Sequence, residues 1–147
     1  MLNALTAASC ACVLIELTSL RSVGAENVPQ ELIGSWRAEA VKSGEAVDDP
    51  EMVLEIREDG TYGGTGGCNF FTGVFSLSEG TIIFGPTEAT HIICAPAVME
   101  QEQKLFDMLK DALAWKVDAA TLALTGPDGA SGMRLVPVKA PLSGGKP

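Results

Sequence analysis

The sequence predicts an α+β fold: an antiparallel, strongly curled β-sheet (a half-barrel) packed with one main α-helix inserted before the last strands. Three observations predict it. Short apolar runs alternate with polar residues at a period of two, from Trp36 to Phe84 and again from Trp115 to Leu135. Turn signals separate them, among them Asp59-Gly60, Ser78-Glu79-Gly80 and Gly126-Pro127-Asp128-Gly129. Between the two sets lies one stretch, beginning at Pro96, whose apolar residues recur at helical spacing.

In chain order, Trp36, Ala38 and Ala40 alternate with Arg37 and Glu39 in a first strand after Leu32-Ile33-Gly34. Lys42 to Pro50 is polar and reads as a loop. Met52, Leu54 and Ile56 form a half-buried strand, and Glu58-Asp59-Gly60 turns it into the glycine-rich strand Thr61 to Gly67. Phe71, Gly73, Phe75 and Leu77 line one face of the next strand, and Ile82 and Phe84 continue the meander to Gly85-Pro86. Pro96 suits a first helical turn, after which Val98, Leu105, Leu109 and Ala112 share one face that Met99, Phe106 and Leu113 broaden. Glu100 and Glu102 near the helix start, with Lys104 and Lys110 later, match the helix dipole. Trp115 and Val117, Leu122 and Leu124, then Met133 and Leu135 supply the closing strands.

At the N-terminus, residues 1–25 have the layout of a signal peptide: a mostly apolar run from Leu5 to Leu20, then the small residues Val23-Gly24-Ala25. The run is too short and too interrupted, by Glu16, to span a membrane. This places the protein in the periplasm or outside the cell, with cleavage near Ala25; Ala7-Ala8-Ser9-Cys10 also resembles a lipoprotein site faintly. Residues 26–136 are expected to form the domain, and residues 137–147, rich in Pro, Gly and Ser, a flexible tail. The formal net charge is −9, which excludes nucleic acid as a partner because phosphate binding needs clustered Lys and Arg.

Leu32-Ile33-Gly34-Ser35-Trp36, Asp59-Gly60 and Gly67-Cys68-Asn69-Phe70-Phe71-Thr72-Gly73, in that order, resemble the META domain of HslJ-type bacterial proteins. Ile83-Phe84-Gly85-Pro86, Thr90, Cys94 and Met99-Glu100-Gln101-Glu102 continue the likeness. Its motif positions here are Gly34, Trp36, Gly60, Gly67, Cys68, Asn69, Gly73, Thr90 and Cys94. Such domains commonly carry Arg-Met-Ala or similar between the Thr and the Cys, where this chain has His91-Ile92-Ile93. The resemblance implies an exported, stress-linked envelope domain and supplies no catalytic residues.

Cys68 and Cys94 in an oxidising compartment most simply form a disulfide. Two rival chemistries use the same residues. A thiol enzyme would take Cys68 as nucleophile, His91 as base and Asn69 as orienter, but neighbours on a strand point to opposite faces. A zinc site would take His91, Cys94 and Cys68, but a fourth ligand is not evident. The glycines from Gly60 to Gly67 lack the Gly-Lys-Ser/Thr of a phosphate loop and read better as a bent strand under a close neighbour. Asn69 is expected to satisfy turn backbone or end its strand.

The expected function is therefore a non-enzymatic, monomeric binding domain without cofactor or metal, its partner a protein or an apolar small molecule. The alternative is a small β-barrel protease inhibitor, which also tends to open on a Gly-x-Trp strand and to carry one disulfide. A thiol enzyme built on Cys68 is the third reading.

Overall fold

The computed structural model describes residues 27–42, 44–45 and 49–138. Residues 1–26, on which the expected signal peptide with Cys10 and Cys12 falls, and residues 139–147 of the expected tail lie outside the described residues; Pro137, expected to begin that tail, instead ends the last strand, paired with Trp36. Among the described residues, ten strands and one helix follow in order: β1 (Gly34–Val41), β2 (Gly44–Glu45), β3 (Val53–Ile56), β4 (Thr61–Thr65), β5 (Phe70–Ser78), β6 (Thr81–Phe84), β7 (Glu88–Ala89), α1 (Pro96–Leu109), β8 (Ala112–Asp118), β9 (Thr121–Thr125) and β10 (Gly132–Pro137).

The antiparallel sheet curls until it closes. Its neighbours run β10-β9-β8-β6-β5-β4-β3-β1, and β1 pairs with β10 through Trp36↔Pro137, Ala38↔Leu135 and Val41↔Met133. Eight strands thus form a barrel, a size whose interior side chains can fill. They do so here: Met52, Leu54, Ile56, Tyr62, Ile82, Leu113, Leu122, Leu124 and Leu135 are each at most 1% exposed. The period-two residues of the sequence are the inward faces of these strands.

The glycine-rich strand is where the barrel bends. A Cβ on Gly64, which has φ +146°, would lie 1.9 Å from the Val53 carbonyl oxygen of the paired strand. Gly73 stands opposite Tyr62, and a Cβ there would come within 2.6 Å of the tyrosine ring. These positions are glycine because a neighbour occupies the space of a side chain.

One mouth of the barrel is covered by α1, whose buried face consists of Val98, Gln101, Glu102, Leu105, Met108 and Leu109. Leu32 sits at the other, fully buried, its carbonyl accepting the Trp36 indole N–H at 2.9 Å.

Three details differ from expectation. The helix ends at Leu109 rather than continuing through Ala112 and Leu113, which belong to β8. Leu113, Trp115 and Val117 fit a two-residue period as well as Leu113 fits the helical one, and pairing with β6 decides for the strand. Glu102 and the lysines do not act as dipole partners: Glu102 is buried, while Lys104 pairs with Glu100 and Lys110 with Asp107. The polar segment after β1 contains the short strand β2, folded back on Ala40 and Val41.

Candidate functional site

Cys68 and Cys94 are joined by a disulfide, with Cα atoms 5.9 Å apart. It links the β4–β5 turn to the residue two positions before α1. Asn69, only 5% exposed, strengthens the same junction. Its backbone N–H and side-chain amide donate to the two carboxylate oxygens of Glu102, at 2.7 and 2.6 Å. Its side-chain oxygen accepts the Thr90 hydroxyl at 2.8 Å and the Ile92 N–H at 2.7 Å. The Thr90 hydroxyl in turn accepts the Phe70 N–H, and the Thr90 N–H donates to the Phe70 carbonyl. Gly66 packs so closely that a Cβ would lie 2.6 Å from Glu102 Cγ.

Three segments that are distant in sequence therefore meet at one polar knot: the β4–β5 turn, residues 90–94 and α1. A buried carboxylate is tolerable there because both oxygens receive N–H donors. The sequence motif residues Gly67, Cys68, Asn69, Thr90 and Cys94 all lie in or beside this knot. Gly34, Trp36, Gly60 and Gly73 do not; they belong to the barrel wall, its end and its turns.

Asn69 reaches residues more than twenty positions away, not merely its own turn, because the disulfide neighbour brings segment 90–94 alongside. His91 is exposed, and Cys68 has its sulfur bound to Cys94, so a Cys68–His91 thiolate pair is not assembled in this state. Among the described residues, no cluster of three or more His, Cys, Asp or Glu is placed to hold a metal ion.

Beside the knot runs a groove of about 710 Å³ between segment 87–93 and α1. Every residue from Thr87 to Ile93 lines one wall; Met99, Gln103 and Phe106 line the other. A second hollow of about 480 Å³ shares Thr87, Ala89, Gln103 and Phe106 and extends the groove to Leu109 and Lys110. Phe106 is held by edge-to-face contact with Phe71, with ring centroids 5.6 Å apart. Large apolar side chains stand exposed around this end of the molecule: Ile93 (88%), Phe70 (66%), Ile92 (51%) and Met99 (40%).

Neither the groove nor the role of Glu102 is legible in the local sequence pattern. The available signal was Glu102 itself, an acidic residue one turn from both Val98 and Leu105 on the apolar stripe of α1. Among the described residues, no helix is long and apolar enough to cross a membrane.

The META domain family model matches residues 30–140. No curated protein matches the chain. Among solved structures, a protein from Burkholderia xenovorans determined by NMR is similar with a TM-score of 0.59 and 19% identity, over 86% of this chain and 100% of that one. A DUF4847 family protein from Bacteroides vulgatus is similar with a TM-score of 0.55 and 13% identity, over 76% of this chain and 96% of that one. At such identities these likenesses show the fold alone. The span from before β1 to just past β10, closed barrel and disulfide-pinned helix included, lies within the family match, and the chain belongs to the META domain family.

Proposed function

We propose that this domain is a non-enzymatic binding module of the cell envelope, and that a partner protein docks in the groove between segment 87–93 and α1. The observation that carries the reading is that Ile92, Ile93 and Met99 stand exposed in the lining of that groove, with Phe70 exposed in an adjoining hollow beside Glu88 and Thr90. Large apolar side chains exposed together in this way mark interaction sites. Its backing is rigid, because the disulfide and the Asn69–Glu102 bonds pin the segment bearing Ile92 and Ile93. A pre-ordered apolar surface binds with little entropy lost on ordering. A filled barrel interior favours this outer surface over an apolar small molecule held inside.

A photo-crosslinker placed at Ile93 in the full chain, expressed in cells, tests the reading. The expected result is a defined adduct in the envelope fraction, lost on Met99→Asp and missing when the crosslinker stands at exposed Ser78. Equal labelling from both positions, or none from Ile93, would count against it.

A second reading is favoured by the same pinned segment. An exposed loop held by a disulfide is the arrangement by which a small barrel can occupy a protease cleft, and Ile93 projects from such a loop. Titrating secreted proteases with the purified domain separates the two, since an inhibitor would abolish activity stoichiometrically.

A further inference from the structure

We infer that the groove takes an extended, basic polypeptide segment, which adds as a strand to the free edge of β7. This rests on the binding role proposed above and names the chemistry of the partner.

The argument starts with backbone hydrogen bonds. β7 pairs with β5 through Phe71↔Ala89 and Thr72↔Glu88, and β5 is the only strand it pairs with among the described residues. The Thr90 N–H donates to the Phe70 carbonyl at 3.0 Å, and in the antiparallel ladder Glu88, two residues before it and paired with Thr72, faces β5 in the same way. In an antiparallel ladder alternate residues face opposite ways, so the N–H and C=O of Ala89 face away from β5. The Ile92 N–H points back to Asn69, which keeps the alternation and turns His91 outward as well. Ala89 and His91 lie in the wall of the 710 Å³ groove, opposite Met99, Gln103 and Phe106 of α1.

The groove thus has one wall of backbone donors and acceptors at strand spacing and another with Met99 and Phe106 side chains. That combination suits a polypeptide in β conformation, whose main chain bonds the edge while alternate apolar side chains meet the helix. Charge selects its sign. Glu88, exposed on β7, has no ion-pair partner among the described residues, and the chain carries a formal charge of −9. Glu102 is committed to Asn69, and Lys110 to Asp107. Lysine or arginine on the side-chain face away from α1 would lie on the Glu88 side of the added strand.

A labelled ten-residue peptide of alternating valine and lysine, titrated against the full chain by fluorescence anisotropy, is the probe. It is expected to bind about tenfold more tightly than the same peptide with glutamate in place of lysine. N-methylation of one alternate set of its amides should weaken binding by about tenfold, and methylation of the other set should have little effect. Ala89→Pro removes an N–H that β5 does not use and should weaken binding equally, with melting behaviour retained. If that variant fails to fold, the methylated peptides decide by themselves. Failure of the lysine peptide to bind, or equal loss from both methylated sets, overturns the inference. If Ile93→Asp removes binding while backbone blocking does not, strand addition fails and the groove reading survives. If Ile93→Asp has no effect on binding, the groove reading fails too. A dimer of the chain alone that Ala89→Pro dissociates would assign the edge to a second copy, and an apolar dye bound there that the peptide does not displace would assign the groove to a small molecule. Either result overturns the peptide.

Discussion

Tyr62 is the only tyrosine in the chain and its residue is fully buried in the barrel core. Its hydroxyl lies 3.0 Å from the Gly85 carbonyl, to which it donates, and 2.6 Å from the Thr87 hydroxyl, while its ring meets Phe84 edge-on at 4.8 Å. Burial pushes its pKa above 10.0, and the Thr87 contact pulls weakly the other way. A phenol with a raised folded pKa gives stability that is complete below the unfolded value and is lost as pH rises through the folded one. Absorbance titration of tyrosinate should therefore show a midpoint above 10.0, and denaturant stability should fall over that range. Tyr62→Phe should remove this alkaline loss while costing about 1 kcal/mol at neutral pH. An ordinary midpoint would contradict the buried position. Glu102 is the other residue whose chemistry is testable directly. Glu102→Gln places an amide donor against Asn69 donors and should lower stability by about 2 kcal/mol in urea unfolding. A cost as large in the Asn69→Ala background, which keeps the backbone N–H bond, would show that the Asn69 side chain is not coupled to Glu102.

At the scale of elements, α1 is short and has no side-chain N-cap, so its place depends on its attachments. Those are its apolar face on the barrel, Glu102 on Asn69, and the disulfide two residues ahead of Pro96. The disulfide spans a sequence separation of 26, for which the chain-entropy account gives about 3.5 kcal/mol. Cys68→Ser should lower the stability of the oxidised protein by about that amount and leave wild type and variant equal under reductant. Equal stability before reduction would remove the disulfide from the account. The apolar period of α1 runs on through Ala112 and Leu113, past the end of the helix at Leu109. Leu113 satisfies both a helical and a strand period, and only the partner strand β6 distinguishes them.

For the whole molecule, the decisive contact is between β1 and β10, near opposite ends of the described chain. Without it both strands would be exposed edges and the sheet could not close. A chain ending at Ala130 is therefore expected to lose cooperative unfolding and near-ultraviolet circular dichroism, even though every other strand remains. Retention of a sharp transition would show that the barrel does not need closure. Pairing so far apart in sequence also implies slow folding, because the loop entropy is spent before the contact rewards it.

What the sequence determined by itself was the set of inward faces, the turns and the helix start, since these follow from local periodicity and from Pro96. It also pointed to Cys68, Asn69, Thr90 and Cys94 as a group. It did not reveal that Asn69 and Glu102 bond to one another, because an isolated Glu on a helix is ordinarily solvated and only the docked helix buries it. Nor could it show that β7, among the described residues, pairs with β5 alone and lies opposite α1: hydrogen-bond direction depends on register, and a shift of one residue would exchange the groups facing β5 for those facing away. Barrel closure and the groove were decided by tertiary structure, because both arise from pairings between segments whose local patterns are compatible with an open sheet.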